Sequence, residues 1–473
     1  MCLKNKNNFW NQTIIYGFGF VVLRTISFLL LPLYTNLLTT KEAGWVFILY
    51  TILAFFNALF SHGMDSSLLK FYNKKNQKEI LTTSLLYSLI YSFLLCLILF
   101  SVYQYGIFKY FPILQQISSN IILLILFILV ADMLSSRIIT LIRLLNNPYY
   151  YLFVSFINII TSISLNIYFI YMLNLGFLGA LYSLAVVSLI QLICLLPPVY
   201  NNFRINLFNM VLLKQMVRFS VPFLPATIFF IIIEMSDRWM LGWLGTIESV
   251  GLYGAGYKIG SLILLAVHSF NLNWQPYYLK TNLKNAQNQF SNIGTHLIIF
   301  LVFMCTALSI VWPLILKLNI GPYYIIGQEF WHGGAIIPII ALSYVFYGVF
   351  VLQMPPIYRL NKQKWVPFFW GVGAITNFCV NYLAIPSFGI HGAAYSTLLS
   401  YFLMVVCIIY KNYSWMIIKY HFFKIAIVLI VSIVFYSLSL ILSAYLLLIS
   451  IIYSLICISY FIVLLKNSNL KFI

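Results

Sequence analysis

The stretch GFLGALYS at residues 176–183 is matched by GIHGAAYS at residues 389–396. Each copy lies in the short gap between two apolar runs, and the run before each copy contains an asparagine, Asn166 or Asn381. Two further pairs of segments have nearly the same separation: RLLN at 143–146 with RLN at 359–361, and EAGW at 42–45 with SVGL at 249–252. These repeats predict a chain built from two like-oriented halves. Many membrane transporters are built in this way, with the cargo site between the halves.

The composition excludes a soluble globular protein. Hydrophobic residues make up 63% of the 473 residues and charged residues 7%, whereas ordinary soluble domains are about 25% charged. The apolar residues form continuous runs rather than the alternating pattern of a membrane β-barrel. Because only closed barrels and helices satisfy the backbone in lipid, the runs predict an all-α integral membrane protein.

The apolar runs predict about 14 transmembrane helices. The repeated segments are separated by an even number of spans, so the two halves are expected to be related by a pseudo-twofold axis along the membrane normal. We predict two six-helix lobes, at residues 1–217 and 218–411, and an appended helix pair at 412–473. The predicted spans are 10–38, 44–64, 80–103, 119–142, 150–172, 178–200, 218–244, 252–276, 292–316, 334–355, 366–386, 391–410, 424–443 and 446–465.

The basic residues predict the orientation of the chain. If the N-terminus is cytoplasmic, the outside segments contain Lys41, Lys109 and Lys317, and the other Lys and Arg outside the spans fall in inside segments. This positive-inside bias places both termini in the cytoplasm. The formal net charge of +19 is therefore interpreted as a topology signal. It is spread over many short segments, which argues against nucleic-acid binding.

The sequence predicts no metal site, cofactor or catalytic group. The 7 Cys are scattered, mostly within apolar runs, and the 6 His lack ligand spacing; packing is the usual role of such cysteines. The GxxxxGK[ST] phosphate loop is also missing from the sequence. The protein is therefore interpreted as a transporter, not an enzyme, that draws its energy from an ion gradient or from the cargo gradient.

Several ionisable residues fall within the predicted spans, where a central charge costs at least about 2.5–3.5 kcal/mol and needs a wet cavity or a partner. Arg24 is expected either to anchor cargo in a central cavity or to pair with Asp132 or Asp237. Asp132 is a candidate proton or sodium site. Arg137 lies near the predicted cytoplasmic edge, so its expected role is to extend towards the membrane surface. Lys258 is expected to extend outward in the same way.

Glu234 and Arg238 lie four residues apart and so share one helix face. They form either a self-neutralising pair or part of a cavity, and Asp237 either binds a coupling cation or pairs with Arg24. The polar segment at 271–275 either binds sugar or is ordinary interface chemistry. The candidate substrate-binding residues are Arg24, Arg238, Lys258, Asn271 and Trp274, and the candidates for ion coupling or charge pairing are Asp132, Glu234 and Asp237. The amphipathic segment 203–219 is predicted to lie along the inner membrane surface.

Three features resemble a known family: the run from Asp237 to Tyr253, with Gly242 and Gly245 within it; Pro32 with Gly44; and the GxxGA motif after spans 5 and 11. They resemble the Wzx-type O-antigen flippases, which are polysaccharide repeat-unit translocases of the multidrug/oligosaccharidyl-lipid/polysaccharide (MOP) exporter superfamily. The resemblance covers nearly the whole chain. It implies a MATE-like fold with two six-helix lobes around a cationic cavity, although this chain has few intramembrane bases.

The resemblance also implies a function. It implies alternating-access transfer of an undecaprenyl-diphosphate-linked oligosaccharide from the inner to the outer leaflet of the bacterial inner membrane. It further implies a monomer that works among membrane lipids, with a polysaccharide polymerase and a chain-length protein as partners. The diphosphate is expected to enter from the cytoplasm, attracted by Lys70, Lys74, Lys75, Lys78, Arg143 and Arg359.

Two alternatives stay open at this stage. One is a cation-coupled drug antiporter of the same fold. The other is a membrane polysaccharide polymerase or glycosyltransferase, whose catalytic groups lie outside the bilayer. The longest predicted outer segment, 317–333, carries a single acid, Glu329, which argues against an enzyme because a catalytic constellation is missing there.

Overall fold

A computed structural model of the protein describes residues 28–73, 76–106, 108, 115, 117–145, 147–281 and 286–467. The chain divides into two compact units. Unit 1 contains the residues up to Ile231 together with Thr246–Val250, and unit 2 contains Ile232–Gly245 and the residues from Gly251 onward. The units are compact groups of residues, whereas the predicted lobes are groups of six membrane spans, so the two divisions are not equivalent. The predicted lobe boundaries stay a prediction.

The described residues of unit 1 are mainly helical. Its elements are α1 (Phe28–Leu37), α2 (Thr40–Ser61), α3 (Met64–Phe71), α4 (Gln77–Gln104), α5 (Ser119–Leu144), α6 (Pro148–Asn166), α7 (Gly176–Cys194), α8 (Leu196–Asn202) and α9 (Met210–Ser220). A π-helical turn, Ile167–Met172, follows α6, and 3-10 turns lie at Ile205–Leu207 and Val221–Phe223. Helix α10 (Leu224–Leu244) begins in unit 1 and ends in unit 2.

The described part of unit 2 is mainly helical and contains one small hairpin. Helix α11 (Ile247–Gly260) also begins in unit 1 and ends in unit 2. The further elements of unit 2 are α12 (Leu262–Lys280), α13 (Ala286–Lys317), α14 (Ile337–Leu352), α15 (Met354–Arg359), α16 (Val366–Trp415), α17 (Phe422–Ile441) and α18 (Leu446–Asn467). The hairpin pairs β1 (Asn319–Ile320) with β2 (Tyr323–Tyr324) in antiparallel register, with Asn319 opposite Tyr324. The 3-10 turns are Gln328–Ile336, Gln363–Trp365 and Ser443–Tyr445.

The all-α membrane fold is confirmed. Among the described residues, 11 helices are long and apolar enough to cross a membrane, or up to 12 if the bent pair α11–α12 counts as one span. Helix α16 has 50 residues, about 75 Å at about 1.5 Å per residue, which is more than twice the thickness of the bilayer core. Its backbone leaves helical geometry at Gly389 (φ 52°, ψ −127°), so α16 consists of two helical arms that meet at this glycine, and the arms correspond to the predicted spans 366–386 and 391–410. The count of 14 spans stays a prediction.

The repeated glycines have the same local geometry in both halves. Gly176 and Gly389 adopt positive φ angles of 55° and 52°, a region that residues with a side chain rarely enter. Three residues later, Gly179 and Gly392 pack against the helix that precedes each turn. An added Cβ would lie 3.1 Å and 2.5 Å, respectively, from a backbone oxygen of that helix. The motif therefore encodes a tight turn followed by a close approach of consecutive helices.

The repeated segments EAGW at 42–45 and SVGL at 249–252 each lie close to the start of a helix. Before α2, the Thr39 hydroxyl accepts from the Glu42 N–H at 3.3 Å, and the Glu42 carboxylate accepts from the Thr39 N–H at 3.0 Å. Before α11, Thr246 and Ser249 exchange equivalent bonds of 3.2 Å and 3.1 Å. Both are capping-box arrangements that satisfy the free N–H groups of a first turn. The repeated segments therefore correspond to the same capping arrangement at the start of a helix in each half.

The amphipathic segment after α8 forms α9, which packs against α3 within unit 1. Leu213 and Met216 are buried in one apolar cluster with Met64 and Leu68 of α3. The Ser67 hydroxyl also donates to the backbone oxygen of Met216 at 2.6 Å. The opposite face of α9 is polar and exposed. Its predicted position along the inner membrane surface stays a prediction.

Candidate functional site

The buried face of α10 carries three ionisable side chains. Glu234, Asp237 and Arg238 are 5%, 0% and 5% exposed. Spacings of three and four residues place them on one side of the helix, and that side packs into the interior of unit 2. A buried charge is costly unless it is hydrogen-bonded or paired, and the partners of these residues come mainly from α11, α14 and α16.

Asp237 accepts four hydrogen bonds. Tyr253 Oη and Thr397 Oγ1 each donate to Oδ2 at 2.5 Å. Asn381 Nδ2 and Asn377 Nδ2 donate to Oδ1 at 2.7 Å and 3.1 Å. An ionised carboxylate only accepts, and it has about four acceptor positions. The four donors therefore match a carboxylate that is held in the protein interior with its charge.

The same cluster is rich in oxygen atoms. Asn377 Oδ1 accepts from Ser236 Oγ at 2.6 Å and from Asn381 Nδ2 at 3.0 Å. Asn381 Oδ1 is buried and has no hydrogen-bond partner among the described residues. Carboxylate and carbonyl oxygens are the ligands that hard cations prefer. The arrangement can therefore hold a proton on Asp237 or a small monovalent cation beside it.

Glu234 is enclosed by tyrosines. Its Oε2 accepts from Tyr344 Oη at 2.9 Å and from Tyr257 Oη at 3.2 Å, and its Oε1 accepts from Tyr401 Oη. Arg238 Nη1 donates to the backbone oxygen of Glu234 at 2.8 Å. The guanidinium lies 4.2 Å from the centroid of the Tyr257 ring. Glu234 and Arg238 do share a helix face, but tyrosine hydroxyls hold the carboxylate.

Six residues that donate to these two acids were not predicted from the sequence. They are Tyr253, Tyr257, Tyr344, Asn377, Thr397 and Tyr401. Two local signals were present, since Tyr253 lies four residues before Tyr257, and Asn377 lies four residues before Asn381. Polar side chains at that spacing share one helix face. Inside a membrane span, such a polar face suggests a buried polar partner.

Asp132 joins three helices of unit 1. Its carboxylate accepts from Ser188 Oγ on α7 at 2.8 Å and from Asn57 Nδ2 on α2 at 3.4 Å. The side chain is half-buried. Both partners are neutral, so the carboxylate can take up a proton without breaking an ion pair. Its predicted role as a proton or sodium site stays a prediction.

The prediction that Arg137 extends to the membrane surface is wrong. Its side chain is fully buried and forms an ion pair with Asp65 at the start of α3. Its Nη2 donates to the Ser61 backbone oxygen at 2.9 Å, and its Nε donates to Ser88 Oγ at 3.4 Å. The physical reason is the turn between α2 and α3, where two consecutive residues have positive φ. That turn directs the acid at the start of α3 towards α5.

The structure describes four of the five predicted substrate-binding residues. Arg24 lies outside the described residues. Lys258 and Asn271 are half-buried. Trp274 is 2% exposed, and its ring is stacked on Tyr277 with centroids 5.9 Å apart. Sugar could therefore reach Trp274 only after neighbouring rings move. The structure does not bring these residues into one described site.

The predicted cytoplasmic entry residues differ in their exposure. Lys74 and Lys75 lie outside the described residues, and Lys70, Lys78 and Arg143 are exposed. Arg359 is half-buried and donates to the backbone oxygen of Thr281 at 2.8 Å. The described residues contain no group of three or more His, Cys, Asp or Glu side chains that could hold a metal ion.

Comparison with known proteins supports the interpretation of the fold. A family model described as polysaccharide biosynthesis protein matches residues 9–282. No curated protein matches the chain significantly. Among solved structures, the chain is similar to the lipid II flippase MurJ in an inward closed conformation, with a TM-score of 0.75 and 12% identity, over 96% of this chain and 100% of that chain.

Two transporter structures are also similar. One is a mutant of the MATE transporter VcmN of Vibrio cholerae, with a TM-score of 0.57 and 14% identity, over 86% of this chain and 97% of that chain. The other is an outward-facing multidrug resistance MATE family transporter of the MOP superfamily, with a TM-score of 0.57 and 11% identity, over 89% of this chain and 96% of that chain. At these identities the likeness concerns the fold, and the predicted MATE-like membrane fold is confirmed.

Proposed function

The chain belongs to the polysaccharide biosynthesis protein family, and we propose that it is a flippase for undecaprenyl-diphosphate-linked oligosaccharide units of the O-antigen type. One observation carries the proposal: membership of this family is combined with the fold of a flippase for lipid II. A protein of that fold in a polysaccharide pathway has a natural task, which is to move the lipid-linked unit across the bilayer before the outer-leaflet steps.

The cargo is expected to be held through its diphosphate. We assign this role to Arg24, with Arg238 and Lys258 adding positive potential and Asn271 and Trp274 contacting the sugars. Arg238 already donates to the Glu234 backbone oxygen. In this arrangement we therefore expect Arg238 to attract the diphosphate through its positive electrostatic potential rather than through direct contact. The polyprenyl chain stays in lipid, which avoids the cost of moving it through a polar passage.

Asp237 is the proposed coupling site. Its four donors come from α11 and α16, so the charge on one carboxylate holds three helices of unit 2 together. A proton or a sodium ion at this cluster would weaken or replace those bonds. An ion that binds one arrangement of the helices better than another shifts the population towards it. Ion binding can thereby drive the exchange between inward and outward access.

A cation-coupled drug antiporter is the second candidate. The observation that favours it is the set of carboxylates within the membrane helices, of which Glu234 and Asp237 are buried and Asp132 is half-buried, on the fold of MATE transporters. Vesicles loaded with a fluorescent organic cation separate the two candidates. The flippase proposal predicts no ion-dependent efflux of the dye, whereas the antiporter proposal requires it.

The flippase proposal can be tested in cells that lack the endogenous flippase. Wild-type protein should restore surface polysaccharide. Arg24→Gln, produced at the same level, should not restore it, because the diphosphate loses its cationic anchor; Arg24→Lys is the matched control that keeps the charge. Full restoration by Arg24→Gln would remove Arg24 from the mechanism. Failure of the wild-type protein in every polysaccharide background tried would count against the cargo class itself.

The setting follows from the same proposal. The chain is a multi-pass membrane protein, and we place it in the bacterial inner membrane with both termini in the cytoplasm. We further propose that it works as a monomer beside a polysaccharide polymerase and a chain-length protein. Reporter fusions at the two termini test the orientation, since cytoplasmic reporters should be active at both.

A further inference from the structure

The two ends of α16 meet in a patch of basic and aromatic residues. The bend in the middle of the helix brings Trp365 and Trp415 together, with ring centroids 5.9 Å apart. Lys411 Nζ lies 4.3 Å from the centroid of the Trp365 ring, and Lys362 Nζ lies 5.9 Å from that of Trp415. We name these four residues, together with Lys364, the Lys–Trp patch. None of its members belongs to the proposed cargo route.

The positive charge of the patch is not balanced by nearby acids. Lys362 and Lys364 are exposed, and Lys411 is half-buried. No Asp or Glu follows Glu329 in the sequence, so α14 to α18 supply no carboxylate. The contact of an ammonium group with a ring face orients the lysine but leaves its charge in place. A negatively charged ligand would complete the patch.

An apolar strip leads away from the patch along α16. Leu399, Leu403, Val406 and Tyr410 recur every three or four residues, which places them on one helix face, and they are 42%, 36%, 45% and 74% exposed. Tyr410 is next to the patch, with its ring centroid 6.0 Å from Lys411 Nζ. In a helix that crosses a membrane, such a strip contacts lipid chains, and Trp and Tyr at its end mark the headgroup level.

We propose that the Lys–Trp patch binds the phosphate of an anionic phospholipid whose acyl chain lies along this strip. A free phosphate ion would satisfy the lysines but leave the adjoining strip without a ligand. A phospholipid satisfies both parts at once. The positive-inside rule predicts that the patch lies at the cytoplasmic leaflet, whose anionic lipids attract basic residues close to the membrane. The bound lipid joins the two ends of α16, which lie far apart in sequence.

The test uses the full-length protein in detergent, titrated with phosphatidylglycerol, phosphatidylcholine or inorganic phosphate. Bound lipid is counted by native mass spectrometry. Lys362→Gln/Lys411→Gln should weaken phosphatidylglycerol binding roughly thirtyfold, as expected for the loss of two lysines near an anionic headgroup. The matched control is Lys41→Gln/Lys317→Gln, which removes two exposed lysines elsewhere and should bind like the wild type.

Several outcomes would overturn the proposal. Equal phosphatidylglycerol binding by the two double variants would exclude the patch, and equal binding of phosphatidylcholine by the wild type would exclude recognition of the anionic group. Displacement of phosphatidylglycerol by inorganic phosphate would identify a simple anion site. Displacement by undecaprenyl diphosphate at equal concentration would assign the patch to cargo instead. The proposal does not depend on the flippase function, which can fail without affecting any of these results.

Discussion

Asp237 on α10 and Asn381 on α16 are joined by a hydrogen bond of 2.7 Å, although 144 residues separate them in the chain. Asn381 is the asparagine that precedes the second copy of the repeated turn. The bond therefore ties the duplicated element of the second half to the carboxylate that we propose for ion coupling. Both side chains are fully buried, so an exchange of the two groups is a sharp test of the cluster.

Asp237→Asn should destabilise the protein, because an amide nitrogen then faces groups that donate. An unmet buried donor costs about 1–3 kcal/mol. The double variant Asp237→Asn/Asn381→Asp returns a carboxylate to the cluster and should recover part of the loss. The measurement is the thermal unfolding midpoint of the purified protein. If the double variant loses the sum of the two single losses, the side chains do not interact as described, since independent sites are additive.

The tyrosines that donate to Glu234 predict a second loss of stability on mutation. Tyr401→Phe removes one donor to the Glu234 carboxylate, and a hydrogen bond to a charged group is worth about 1.5–3 kcal/mol. The control is Tyr410→Phe on the same helix, whose ring is 74% exposed and should be neutral. Chemical denaturation in mixed micelles compares the two variants. Equal stability of both would mean that Glu234 does not depend on the tyrosine hydroxyl.

The ion pair between Arg137 and Asp65 predicts that removing Arg137 alone destabilises the protein more than replacing both residues. Arg137→Met leaves the Asp65 carboxylate without its partner and should cost up to about 3 kcal/mol; removing one member of a fully buried pair costs about 3–5 kcal/mol, and Asp65 is 28% exposed. Asp65→Asn/Arg137→Met should be less harmful than Arg137→Met alone. Arg143→Met, at an exposed position of the same helix, is the control. A double variant worse than both single variants would contradict the pairing.

His62 predicts a loss of stability in acid. Burial is the main reason that the pKa of His62 is lowered to about 4, and the charge of Arg137 adds to it, while Asp65 acts in the opposite direction. The ring also contacts Tyr87 and Tyr91 of α4. The unfolded chain takes up this proton near pH 6.5 and the folded protein near pH 4, so the contribution is complete above about pH 6.5 and is lost as the pH falls towards 4.

The measurement for His62 is the difference between the unfolding midpoints at pH 7 and pH 5. The wild type should lose stability over this range, and His62→Asn should lose less. His332→Asn, at an exposed position, should behave like the wild type. An identical loss in the His62 and His332 variants would show that protonation of His62 does not contribute to acid sensitivity.

Much of the fold follows from the sequence because its signals are local. The apolar runs and the repeated segments are each read within a few residues; the described runs form helices as predicted, and the repeated glycines Gly176 and Gly389 lie at the turns between them. The acids on α10 were also found locally, since an ionisable residue inside an apolar run is conspicuous. The residues around these acids were not found, because Tyr344, Thr397 and Tyr401 lie more than a hundred residues along the chain from the acid that each contacts. Individually they look like ordinary membrane-helix residues.

The error at Arg137 has a different physical origin. Arg137 sits near the end of its predicted span, where an arginine usually reaches the surface, and no sequence signal shows that the turn between α2 and α3 brings Asp65 to it. A backbone turn, rather than a residue preference, decides this contact.

The most direct test of the flippase proposal uses purified protein in sealed vesicles with a fluorescent polyprenyl-diphosphate-linked oligosaccharide in both leaflets. A membrane-impermeant quencher reports the fraction of label that reaches the outer leaflet with time. We expect wild-type protein to make nearly all of the label accessible and Arg24→Gln to leave about half protected, as in vesicles without protein. Equal protection with and without the wild-type protein, under proton and sodium gradients of either direction, would contradict the proposal.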